Sequence, residues 1–239
     1  PELAVLGKDV LSTPYAASFF GLIGLNLLAA LVLVAYKPAP VAQHHEKSPP
    51  QAWPALLGQP VLWVAIIGAT VGYAVMSFVM TATPLSMHSH AGHDLVHTKQ
   101  VIQSHVVAMY LPSLVSGWLI SQFGIGRIMF AGCLLLLGAV AAALSGLAIS
   151  NYWLALILLG VGWNFLFVSG TALLPHAYEG EEPYRAQALN EFLVFGCQAV
   201  ASLSAGWVLA GLGWDRLLYL CIPLISVQLL MLLFWRSRN

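Results

Sequence analysis

Seven apolar runs stand out along the chain, at about 14–36, 60–83, 101–123, 128–149, 152–174, 188–212 and 215–235. Each is long enough to cross a hydrocarbon core of ~30 Å at ~1.5 Å per residue. The pattern predicts an all-α membrane protein of about seven transmembrane helices. Residues 37–53 interrupt it with Pro38, Pro40, Pro49 and Pro50 among His, Glu and Lys, a polar linker through which no helix continues. The remaining connections are short, so neighbouring spans run antiparallel.

The last six runs divide into two units of three. Gly117, Trp118, Gly124 and Arg127 are answered in register by Gly206, Trp207, Gly213 and Arg216, 89 positions later. The same offset carries run 60–83 onto 149–172, 101–123 onto 190–212, and 128–149 onto 217–238. Three spans per unit is an odd number, so successive units cross the bilayer in opposite senses, giving a 3+3 inverted repeat. The alternative is chance recurrence of Gly-rich helix ends, which are common in membrane helices.

Composition changes the picture in one direction. Apolar residues make up 59% of the 239, and charged residues only 8%, against roughly 25% in a soluble domain. The formal net charge is zero, so no basic field exists to attract nucleic acid. Cys133, Cys197 and Cys221 are scattered through apolar runs without metal-like spacing and read as small core residues. The N-terminal residues carry no signal-peptide pattern, and the chain is expected to be cut from something longer. With the N-terminus outside, Lys37, Lys47, Arg127, Arg185, Arg236 and Arg238 lie inside, and Lys8, Lys99 and Arg216 outside. This bias favours a cytoplasmic C-terminus.

Four stretches carry a family likeness. Gly72-Tyr73-Ala74-Val75-Met76-Ser77-Phe78-Val79-Met80-Thr81-Ala82-Thr83-Pro84, Val101-Ile102-Gln103-Ser104-His105, Gly160-Val161-Gly162-Trp163-Asn164-Phe165 and Gln187-Ala188-Leu189-Asn190-Glu191-Phe192 resemble bacterial permeases of the major facilitator superfamily. In that family twelve helices form two six-helix halves. The resemblance implies that 1–36 corresponds to the sixth helix, 37–59 to the central cytoplasmic linker, and 60–239 to the complete C-terminal six-helix bundle. It further implies a missing N-terminal half, a bacterial inner-membrane location, and a small solute moved by alternating access, with a proton gradient as the energy source. The family's loop signature is only partly present: Gly117 and Gly124 fit, Ser121 stands at the acidic position, and the basic residue comes late, at Arg127.

Polar side chains inside the runs are the candidates for chemistry, since each is costly in lipid. Glu191, Gln198 and Ser202 share one helical face and can line a cavity; alternatively Glu191 reaches the cytoplasmic interface and pairs with Arg185. Tyr73, Ser77 and Thr81 form a second stripe, although hydroxyls in helices often bond only their own backbone. Gln103 and His105 open another run, where His105 is a proton-coupling candidate beside Glu191 or else a structural histidine. Asn164 is a buried amide that must find a neighbouring helix or a ligand, and Asn190 precedes Glu191. The cavity candidates are therefore Tyr73, Ser77, Gln103, Asn164, Asn190, Glu191 and Gln198.

Between runs, His88, His90, His93, His97 and Asp94 crowd one loop, weak metal candidates without fixed geometry that read more simply as an exposed linker. Hydrolase, Walker A, dinucleotide and H-E-x-x-H signatures are absent, so neither an enzyme nor a cofactor is expected. Two rival readings stay open: a seven-helix receptor or scaffold that binds without transporting, and a metal-handling protein using the histidine loop. The expected partners are the bilayer, a small solute and the other half of the transporter.

Overall fold

The computed structural model describes residues 6–8, 10–36, 53–178 and 183–236. Most of the linker, 37–52, lies outside them. The chain packs as two separate units, 1–47 and 48–239. In the first, helix α1 (Ala16–Ala35) is apolar on every side and exposes nearly all of its large side chains, with only Ser18 buried. At twenty residues it measures ~30 Å, one bilayer core.

The second unit begins with a short helix, α2 (Trp53–Leu57), and continues with α3 (Pro60–Leu85), which opens on Pro60, where a missing N–H costs nothing. Then follow α4 (Leu95–Tyr110), α5 (Ser113–Phe123), α6 (Ile125–Leu144), α7 (Ile149–Leu173), α8 (Pro183–Leu212) and α9 (Trp214–Arg236). Among the described residues six helices, α1 included, are long and apolar enough to cross a membrane on their own, and α4 with α5, bent by 43° at their break, make a seventh if the pair is taken as one span. Helices are the form such runs take because every backbone polar group must be satisfied within the segment when water is absent.

Four features of the helices differ from the sequence reading. Run 101–123 is not one straight helix: Pro112 has no N–H to donate and breaks it between Tyr110 and Ser113. The same span starts earlier, at Leu95, because Asp94 caps it by accepting the His97 backbone N–H at 2.8 Å. Helix α3 runs through Pro84 and then widens into a π turn, Ser86–His90, where the Ser86 hydroxyl meets the Tyr152 hydroxyl at 2.8 Å. Helix α8 likewise begins at Pro183 and so places Glu191 two turns inside it.

The repeat has a physical counterpart. Gly124 and Gly213, 89 positions apart, each join two helices with φ of +83°, a backbone that a side chain would strain. Exchanging the first three spans (α3, α4/α5, α6) for the second three (α7, α8, α9) carries the packing onto itself. The α3·α8 contact matches α7·α4, α3·α9 matches α7·α6, and α3·α7 and α6·α9 are their own counterparts. Close packing at the α6–α7 crossing uses Gly132 and Gly162, where a β-carbon on either would sit 3.1 Å from the other's carbonyl oxygen. Cys133 and Cys221 are buried as core residues; Cys197 is not, because it lies on the open face of α8.

Candidate functional site

Midway along α3, α7 and α8, aromatic rings converge. Tyr73 meets Trp163 at 5.1 Å, Phe167 at 4.9 Å and Phe195 at 5.5 Å between ring centroids, each edge to face. Trp163 stacks nearly parallel on Phe167 at 5.4 Å and receives the edge of Tyr110, from the end of α4, at 6.0 Å. These separations are the preferred range for aromatic pairs. The cluster is graded in exposure: Trp163 is 3% exposed, Phe195 44% and Tyr110 60%. One turn before Phe195 on the same face of α8 stands exposed Glu191. Gln198 continues that face, half-buried.

The polar candidates therefore divide. Tyr73, Glu191 and Gln198 belong to the aromatic face. Ser77 and Asn190 are buried in the helix packing. Gln103 lines a separate crevice of about 470 Å³ between α4 and α7 with Ser104, Val107, Pro112 and Trp153. Asn164 works as a helix clamp, donating its amide to the Met109 carbonyl at 2.8 Å and the Ser113 hydroxyl at 2.6 Å across the Pro112 break. His105 is fully buried against α7, with Nδ1 2.7 Å from the Leu156 carbonyl and no partner for Nε2. Arg185 does not stand beside Glu191 on the helix surface, since six positions separate them; its guanidinium lies over the Trp53 ring at 5.7 Å.

Sequence reasoning passed over Tyr110, Trp163, Phe167 and Phe195 because it searched the runs for polar atoms. A usable signal was present: Phe195 falls between Glu191 and Gln198 on their shared face, and Tyr110 lies two turns beyond Gln103.

The histidine loop is dispersed. His93 Nε2 bonds the Leu147 carbonyl at 2.7 Å, while His97 Nδ1 pairs with Asp94 at 2.6 Å. Among the described residues no three His, Cys, Asp or Glu side chains are grouped as metal ligands. The His97 backbone N–H, followed by its ring, holds the Asp94 carboxyl below the usual carboxylate range. A further opening of about 500 Å³ between α3, α8 and α9 is walled almost wholly by apolar side chains and contains none of the candidates.

A multi-pass helical bundle with internal three-span pseudosymmetry and a mid-depth aromatic face defines a class of integral membrane protein that comparison narrows. No protein-family model matches the chain. The riboflavin transporter RfnT of Brucella anthropi is 34% identical over 238 residues, covering 98% of this chain and 59% of that protein. The uncharacterized MFS-type transporter YdeG of Bacillus subtilis is 38% identical over 173 residues, 70% of this chain and 39% of that protein. In fold, the chain is similar to the crystal structure of a bacterial homologue of the iron transporter ferroportin in an outward-facing state. That likeness has a TM-score of 0.59 over 93% of this chain and 54% of the other, at 15% identity. The chain belongs to the major facilitator superfamily and matches the C-terminal half of its curated relatives. It spans less than two thirds of their length.

Proposed function

We propose that this bundle is the C-terminal half of a secondary transporter that moves a small solute by alternating access. On this reading residues 1–36 act as the sixth helix, 37–59 as the cytoplasmic linker, and an N-terminal half of similar build closes the cavity. The N-terminus of the chain is outside and the C-terminus cytoplasmic, as the Lys and Arg bias favours. The observation that carries the proposal is the convergence of α3, α4, α7 and α8 on one exposed face at mid-depth, with Glu191 as an acid beside it. Transporters of this architecture place solute sites near the midplane at the repeat interface. Glu191 is the proposed proton carrier, because a lone acid inside a span is otherwise hard to justify. His105 is the lesser candidate, since its ring is enclosed by α4 and α7 away from that face.

A receptor or scaffold would need no pseudosymmetric pair of three-span units, and the relatives with assigned roles are transporters. Riboflavin, the solute named for one of them, is the first to test. The full-length protein is reconstituted in proteoliposomes and uptake measured with and without an imposed pH gradient. Gradient-dependent accumulation is expected; rates indifferent to the gradient remove proton coupling, and no uptake above protein-free vesicles for any solute tried removes transport.

A further inference from the structure

We propose that the aromatic face is a stacking cradle and that the solute is a flat, conjugated ring system carrying polar atoms on its edge. The inference rests on the transporter reading for its direction into a cavity, and deepens it by assigning residues and a solute class. Four spans contribute rings to one patch: Tyr73, Tyr110, Trp163, Phe167 and Phe195. Trp163 is too enclosed to offer a free face. Stacked on Phe167, it receives the edges of Tyr73 and Tyr110 and so fixes the rings that are open, much as a rigid shell preorganises a site. A lipid-facing surface has no need of such rigidity, because acyl chains conform to any apolar shape.

The edge chemistry comes from the polar side chains on the same face of α8: exposed Glu191 supplies carboxylate acceptors and half-buried Gln198 an amide donor and acceptor. Glu191, one turn from Phe195, forms no ion pair among the described residues and can accept from ring N–H or hydroxyl groups. A heteroaromatic ring with a carbonyl and N–H edge satisfies stacking surface, donor and acceptor together; an aliphatic polyol or a metal ion uses none of the rings.

The test is binding by the purified full-length protein, read by quenching of ligand fluorescence or of tryptophan emission, so that it does not depend on transport. Lumiflavin, which is the flavin ring without its sugar-like chain, is expected to compete with riboflavin, and ribitol is not. Tyr73→Leu and Phe195→Leu should each weaken ring binding by about 5- to 100-fold, while Tyr73→Phe, which keeps the ring, stays within about threefold of the parent. The aliphatic variants could fail to fold, so each is first required to match the parent helical circular dichroism and elution volume; Phe195→Tyr serves in place of any that does not and should retain binding. Competition by ribitol but not lumiflavin overturns the cradle. So do leucine variants that bind as tightly as the parent, or no saturable binding by lumiflavin, a quinoline or a purine at their solubility limits. Ring-dependent binding without uptake would leave the cradle standing and overturn transport; uptake indifferent to the rings would do the reverse.

Discussion

Replacing Asn164 by leucine removes the clamp across the bent span while keeping the side chain's approximate volume. Pro112 interrupts the helical ladder of that span, and the Met109 carbonyl takes the Asn164 amide at 2.8 Å; the same amide reaches the Ser113 hydroxyl at 2.6 Å on the far side of the break. Interhelical hydrogen bonds in membrane proteins contribute ~0.6 kcal/mol on average and up to ~1.7. Two such bonds, one to a carbonyl that then faces an apolar interior, place the cost of Asn164→Leu at about 1–3 kcal/mol, or roughly 5- to 150-fold in the unfolding equilibrium. Ser113→Ala removes one bond and spares the carbonyl, so about 0.6 kcal/mol is expected from it. Helical circular dichroism followed through a sodium dodecyl sulfate titration of the purified chain in mixed micelles measures both, and a double-mutant cycle isolates the shared bond. The reasoning fails if Asn164→Leu costs less than Ser113→Ala, or if the two substitutions add without coupling.

Glu191→Gln should abolish pH-driven accumulation while sparing solute exchange, and Arg185→Gln, whose guanidinium sits over Trp53, should leave accumulation intact; equal effects of less than about tenfold (~1.4 kcal/mol) from both refute the proton assignment. In Gly160→Ala the new β-carbon would sit 2.9 Å from the His105 carbonyl oxygen and 3.0 Å from the Met109 nitrogen, so thermal unfolding in detergent should report a loss of about 1–3 kcal/mol from forcing α4 off α7. The Asp94 carboxyl is held below its ordinary value of 3.8, so its capping contribution is complete above that pH and disappears as pH falls through the lower folded-state value. The protection of the His97 amide, its exchange rate divided into the intrinsic rate at the same pH, should fall on acidification over that range, and in Asp94→Ala it should be low at every pH. Single cysteines at Gly92 and His176, in a background lacking Cys133, Cys197 and Cys221, should react with an impermeant thiol reagent from opposite faces of the membrane; labelling from one face contradicts the orientation.

The spans were legible because hydrocarbon imposes a length and forbids charge, and both are properties of composition along the chain. The repeat was legible because its turns need glycine, and Gly124 and Gly213 stand 89 positions apart with the same positive φ. The bend was hidden by its surroundings: Pro112 lies within an apolar run whose hydropathy continues unbroken on both sides. The aromatic face was hidden for a deeper reason. In a membrane protein a phenylalanine that faces lipid and one that faces a cavity carry the same sequence signal, whereas in water the two would be separated by polarity. A place between Glu191 and Gln198 is the one sequence mark on Phe195, and the packing of α8 against α3, where its ring meets Tyr73, separates it from exposed Phe192 and Leu203 on the same helix. For Asn164 and His105 the sequence left a helix partner and a cavity-lining role open; both bond backbone carbonyls of neighbouring helices, a role that periodicity alone cannot tell from lining a cavity.

Gln198, half-buried on the face shared by Glu191 and Phe195, offers the most direct measurement of alternating access. The full-length protein, with Gln198→Cys as its single cysteine, is sealed in right-side-out and in inside-out vesicles and treated with an impermeant thiol reagent. A transporter that exposes this face to each side in turn gives labelling in both preparations, slowed in both by bound solute. Labelling from one side only, unchanged by solute, contradicts the account and returns the bundle to a binding protein that does not move its ligand.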